Sequence, residues 1–153
     1  MRHNKLVTLV LGVLLAGCGE VTGDPTKYEG TWKYDSGMVT GDCMIMSASQ
    51  DLTGTSMTLA KGTASDLVVT GSPTCEIKFN MSGNKAVAVA GQTCTLMVMN
   101  VGSLVVAIES WTLDTADGMA MTTALKGKTQ VPVPGVGSIS CTVTGNGALT
   151  KQP

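Results

Sequence analysis

The chain has 153 residues, ten Lys or Arg against eleven Asp or Glu, a formal charge of −1 and five cysteines. That length suits one domain with a single core. A near-neutral balance with Arg2 as its only arginine excludes a phosphate-neutralising nucleic-acid surface, and five aromatic residues leave a core that must be built on aliphatic side chains.

The first element in the chain is a targeting segment. Arg2 and Lys5 make a positive start, Leu6 to Ala16 is an apolar run too short to span a bilayer, and small residues precede Cys18. Leu15-Ala16-Gly17-Cys18 resembles the lipobox of bacterial lipoproteins. That resemblance implies a signal peptide over residues 1–17, removed on export, and a diacylglyceryl group on the Cys18 sulfur with the new amine also acylated. Two or three acyl chains hold a protein to a membrane where one does not. Gly19 follows where an inner-membrane retention signal would usually show Asp, so the resemblance favours the outer membrane of the cell envelope. The membrane, reached through Cys18, is an expected partner, nucleic acid is not, and the sequence names no protein or small-molecule partner.

Loss of the leader leaves 136 residues and decides a great deal of chemistry. His3, the single histidine, leaves with it, and every remaining basic residue is a lysine. Without an imidazole, Ser-His-Asp and Cys-His catalysis and His-ligated metals are excluded. Neither a catalytic residue nor a cofactor is nominated, and the chain reads as a non-enzyme. Residues 18–29 read as the lipidated N-terminus and a short polar tether. Its last stretch, Glu20 to Glu29, is about ten residues that span at most roughly 35 Å.

From Gly30 to Pro153 the pattern is that of one all-β domain. No window carries a 3.6-residue period; short alternating runs are separated by Gly, Asn-Gly and Asp-Gly turns. The clearest run is Cys75 to Met81, with Cys75, Ile77, Phe79 and Met81 on one face and Glu76, Lys78 and Asn80 on the other. Ser82-Gly83-Asn84 supplies a turn, and Lys85 to Ala90 returns. Gly91 reads as a bulge before a strand from Gln92 to Met99. The same logic predicts strands at Thr31–Asp35, Val39–Ser47, Thr55–Lys61, Asp66–Thr70, Ser103–Leu113, Met119–Lys126 and Ser138–Thr144. Asp117-Gly118 marks a hairpin rather than a calcium loop, which would need more oxygen ligands. Val133-Pro134-Gly135-Val136-Gly137 reads as a Pro-Gly turn.

Cys43, Cys75, Cys94 and Cys141 form an even set in an exported domain, which is a disulfide signal. Each shares strand parity with apolar neighbours, so all four point to the core. The preferred pairing joins Cys75 to Cys94 across neighbouring strands and Cys43 to Cys141 between an early strand and the last. Glu109 stands inside an apolar run, where a bulge would turn it outward.

Two features suggest ligands. Gly30-Thr31-Trp32 resembles the Gly-x-Trp opening of lipocalins and the Gly-Thr-Trp of avidin-type barrels, both of the calycin kind. The resemblance implies an eight-stranded barrel around a small apolar ligand near Trp32. The lipocalin arginine that packs on this Trp has no counterpart in the mature chain, and Trp32 and Tyr34 read more simply as core aromatics. The pairs Met44/Met46, Met97/Met99 and Met119/Met121 each place two thioethers on one strand face, a donor type suited to Cu(I) or Ag(I); the simpler reading is that they fill gaps in the core.

At the scale of the domain, Gly30–Gly37, Ser65–Val69, Cys75–Asn84, Gly91–Cys94 and Trp111–Gly118 resemble small exported lipoproteins of unassigned function. The expectation is an all-β domain, an antiparallel up-and-down barrel or a sandwich of about eight to ten strands with two internal disulfides. Its expected role is a membrane-anchored binding or structural module. The alternatives are a lipocalin-like carrier and a soft-metal binder.

Overall fold

Gly30 to Cys43 forms one continuous strand, β1, where two were expected. The chain passes through Ser36-Gly37 without breaking because the pairing with the last strand slips by one residue between Tyr34 and Ser36. Such a bulge absorbs the extra residue and bends the strand. Gly37 pairs with Gly147, and the Tyr34 ring lies against both. A Cβ on Gly147 would come within 2.8 Å of that ring and of the Ser36 carbonyl.

The chain in this computed structural model is described over residues 23–70, 75–98, 102–135 and 137–153. The leader, Cys18, Met99 and Val136 lie outside those residues. β2 (Met46–Asp51) returns beside β1 after a turn at Met44-Ile45, a turn that falls inside the expected strand Val39–Ser47. β3 (Ser56–Lys61), β4 (Leu67–Thr70), β5 (Lys78–Ser82), β6 (Lys85–Ala88) and β7 (Thr93–Val98) follow as short strands. β8 (Gly102–Asp114), β9 (Ala120–Val133) and β10 (Gly137–Lys151) are long. β9 and β10 run well beyond the expected Met119–Lys126 and Ser138–Thr144. Gly127 and Gly145, which suggested breaks, sit where neighbours approach closely: a Cβ on Gly127 would lie 2.7 Å from the Ala107 carbonyl.

Eight strands close an antiparallel barrel in the order β1-β3-β4-β5-β6-β8-β9-β10, with β10 returning to β1; β2 and β7 are extra. Both extras prolong an edge. β2 lies on the same side of β1 as β3, and β7 on the same side of β8 as β6. The lower halves of β1, β8, β9 and β10 therefore project past the barrel as a sheet ordered β2-β1-β10-β9-β8-β7 at its outset. Beyond Val106–Thr129 no pairing joins β8 to β9 among the described residues, so the β7–β8 and β9–β10 hairpins part. Pro132, which cannot donate a backbone bond, falls in this parted stretch, paired only toward β10.

Alternation sets the core. Trp32, Leu59, Leu67, Ile77, Phe79, Ala86 and Leu113 are fully buried, and Phe79 meets Trp111 edge-to-face at 5.5 Å. Tyr28 is also core, inside the stretch read as tether. Asp24 caps a short 3-10 turn at Pro25–Lys27, which delivers Tyr28 so that its hydroxyl donates to the Asn84 carbonyl (2.5 Å) and its carbonyl accepts from Trp32 Nε1 (2.7 Å). The Gly23 amide donates to Gly83 at the β5–β6 turn (2.7 Å). Residues 23–29 of the expected tether are therefore packed on the barrel.

Both disulfides have the expected partners: Cys43–Cys141, directly opposite on β1 and β10, and Cys75–Cys94. The second does not join paired strands. Cys75 lies in the lead before β5, and among the described residues β7 pairs only with β8, so this bond fastens the lead where β6 has ended. The Gln92 side chain bridges the same gap. It accepts from the Lys78 amide (2.8 Å) and donates to the Lys78 and Val89 carbonyls (both 2.9 Å).

Candidate functional site

The two ends of this barrel differ in chemistry. At the end where β1 begins stand Gly23, the β5–β6 turn, the β8–β9 turn and the C-terminus. Most charges gather there or at the waist: Asp24, Lys27, Glu29, Lys85, Asp114, Asp117 and Lys151 near the end, Glu109 with Lys126 and Lys128 midway. At the far end β1 turns into β2, β7 ends, β8 begins, and β9 turns into β10.

The strands reaching that far end come from long uncharged sequence. Residues 43–50, 86–108 and 129–150 hold no Asp, Glu, Lys, Arg or His. The tips are apolar and open to solvent: Met44 is 94% exposed, Ile45 67% and Met46 46%, with Pro134 exposed on the next hairpin and Val105 57% exposed where β8 leaves β9. Three consecutive large apolar residues on one exposed turn are unusual, since apolar side chains on a monomer's surface are normally scattered. Asp42, two residues before Met44, is the last charge on β1, and Lys128 is the last on β9.

A concavity lies on the side of the barrel at the β1 bulge. It is an open groove of about 490 Å³ lined by Ser36, Gly37, Met38, Asp51, Thr53, Asn146, Gly147 and Ala148. Asp51 is already engaged, accepting from the Thr53 amide (2.8 Å) and hydroxyl (2.6 Å), and the hydroxyl bond foremost holds its carboxyl below the usual carboxylate range.

Residues expected to act fall in separate places. Trp32 has no exposed surface, its indole is bonded to Tyr28, and the cation over its ring is Lys151 at 5.4 Å. A half-open space of about 20 Å³ beside Tyr34, Trp111 and Leu125 has room for no more than roughly one water. The methionine pairs do not meet as a set. Met44 and Met46 are at the far end, and so is the Met97 backbone on β7. Met119 and Met121 are at the other end, and they do not share a face: Met119 is 60% exposed in the turn and Met121 is 2% exposed in the core. Strand parity fails for them because β9 starts only at Ala120. Among the described residues no group of three Cys, Asp or Glu could hold a metal.

Glu109 sits on the predicted bulge, between Ile108 and Ser110, and pairs outward with Lys128 at 2.6 Å. That hydrogen bond, first among the causes, holds its carboxyl below the usual range. Asp117 is consumed by the hairpin it closes, accepting from the amides of Met119 (2.8 Å) and Ala120 (3.1 Å). The carboxylates at these two positions are thus structural.

The Met44–Met46 tip escaped sequence reasoning because Val39–Ser47 read as one alternating strand. The missed signal was Met-Ile-Met itself, an unbroken apolar triplet that strand alternation does not explain. No family model, curated protein or solved structure matches the chain.

Proposed function

We propose that this protein is a lipid-anchored, non-enzymatic binding module of a bacterial cell envelope, held by acyl chains on Cys18 and working through the uncharged end of its barrel. The observation that carries the reading is the placement of Gly23. The chain enters the barrel at the charged end, so an anchor a few residues upstream leaves the opposite, apolar end free for contact. Cys18 stands five residue steps before Gly23, a reach of at most roughly 18 Å, whereas β1 alone, at 14 residues, extends about 45 Å.

The carrier and soft-metal readings draw less support. Trp32 is enclosed by core side chains, and the methionine pairs are divided between the two ends. Intact-mass measurement of membrane-extracted protein tests the anchor. The expected species lacks residues 1–17 and carries acyl mass on Cys18; a chain that keeps Met1 with an unmodified Cys18 overturns it.

A further inference from the structure

We propose that the uncharged end of the barrel inserts its hairpin tips into the apolar layer of a lipid bilayer. This rests on the anchored-module reading for its biological setting, but its evidence is separate.

The argument starts from what the far end lacks. A bilayer accepts apolar side chains and penalises charge, so an inserting surface must be free of ions over the depth it enters. Met44, Ile45, Met46, Val133 and Pro134 meet that condition, since the three uncharged stretches supply every described strand at this end. Asp42 and Lys128 mark where it stops. Along β1 the charge-free tip is two residues deep, and along β9 it runs from Thr129 to Pro134. At about 3.3 Å per residue these give depths of roughly 7 and 20 Å, enough for side chains to reach the acyl boundary and too little to cross.

A protein partner is the weaker fit. Protein contact surfaces concentrate aromatic and Arg anchors in a well-packed centre. All five aromatic residues of this chain, Tyr28, Trp32, Tyr34, Phe79 and Trp111, lie in the barrel or its lead-in, and no Arg is present among the described residues. The parted β7–β8 and β9–β10 hairpins offer spread points rather than one flat patch, which suits a deformable apolar medium better than a rigid complementary surface. Nor are the outward faces of the projecting strands apolar in the manner of a membrane-spanning barrel. Gln130, Ser138 and Ser140 are exposed there, so contact is confined to the tips.

The test uses the anchored chain reconstituted in phosphatidylcholine vesicles, with protein-free vesicles added as a second population. Ile45→Trp places a fluorophore on the exposed turn, read against the constant background of Trp32 and Trp111. Brominated phosphatidylcholine, supplied in either population in turn, should quench the added emission by at least twofold and shift it to the blue. Ile45→Asp with Met44→Asp should abolish binding of the protein-free vesicles if contact is with a second membrane. Quenching from the anchored population instead places the tips in the same membrane, which supports insertion and overturns the reading that the anchor leaves this end free. Because the end is uncharged, adding phosphatidylglycerol or salt should change the signal little.

Absence of quenching from both populations, while the chain still floats with its vesicles, overturns insertion and leaves the anchored reading intact. So does a signal that appears only with anionic lipid. A chain that fails to float yet shows quenching supports insertion and removes the anchor.

Discussion

Gln92 does for Lys78 what a neighbouring strand would do: its side-chain amide accepts from the Lys78 N–H and donates to the Lys78 carbonyl, at 2.8 and 2.9 Å. The Gln92 carbonyl also accepts from the Ile108 amide at 2.8 Å, so one residue ties β5 to β8 where β6 has run out. The barrel wall is continuous at this point through a side chain.

Gln92→Ala should therefore cost more than a surface substitution. It leaves the Lys78 amide without its partner, while the Lys78 carbonyl keeps the Val89 amide at 2.9 Å, and an unmade bond of this kind costs roughly 1–3 kcal/mol. Urea unfolding should show a lower midpoint with an unchanged slope. Gln92→Glu keeps one acceptor but loses both donated bonds, and should fall between the two.

The two disulfides should fail differently. In the chain-entropy model, closing the Cys75–Cys94 separation of 19 residues contributes about 3 kcal/mol, and closing the 98 of Cys43–Cys141 about 5 kcal/mol. Cys43 and Cys141 also sit at the last register pair of β1 with β10. Replacing both with Ala should lower global stability by up to that amount and speed amide exchange first in β2 and the end of β1. Replacing Cys75 and Cys94 should instead speed exchange in the lead to β5. Exchange mass spectrometry distinguishes the two patterns.

Alkali should destabilise the fold through Tyr34. Burial pushes its phenol up to about 12 from an ordinary 10.0. The folded state holds that proton where the unfolded state releases it, so the stabilisation is intact below about pH 10 and is lost as pH rises toward 12. Two units correspond to roughly 3 kcal/mol at most. Tyr34→Phe keeps the ring against Gly37 and Gly147 and removes the titration. Its stability-versus-pH curve should match the parent below pH 10 and lie above it at higher pH, once the lysines' common contribution cancels in the difference.

Gly147→Ala should be costly although the strand is regular there. The new Cβ meets the Ser36 carbonyl and the Tyr34 ring, both 2.8 Å away. Crowding of this kind typically costs about 1–3 kcal/mol. Because Tyr34 is one of the two obstructions, Tyr34→Ala should relieve part of the penalty, and a double-mutant cycle on thermal unfolding should show coupling between the positions.

The alternating runs around Trp32, Phe79 and Val106 were legible because each buries one face, and parity placed Cys75 and Cys94 in the core, whereas Cys141 is buried beside a half-buried Cys43 outside the core cluster. The Ser82-Gly83-Asn84 and Asp117-Gly118 turns were legible from backbone chemistry, Gly83 and Gly118 both adopting positive φ. What escaped was long-range. Gly37, Gly127 and Gly145 fell outside the expected strands when they lie within continuous ones, as clearances for a ring, a facing carbonyl or neighbouring side chains. Tyr28 read as tether because its partners, Asn84 and Trp32, are supplied by folding. The barrel's closure between β1 and β10 depends on pairing across more than a hundred residues, which no local pattern announces. The apolar end was hidden for the same reason, being assembled from uncharged segments far apart in the chain.

The pairing of β1 with β10 has a mechanical side. A pull applied between Gly23 and Met44 runs lengthwise along β1, which is in register with β10 at eleven positions from Trp32 to Cys43. Force in that direction strains those bonds together in shear, where a pull across the sheet would unzip them singly. The Cys43–Cys141 bond covalently clamps the distal end of that seam. The molecule is a tie rod, stiff along the line joining its two unlike ends.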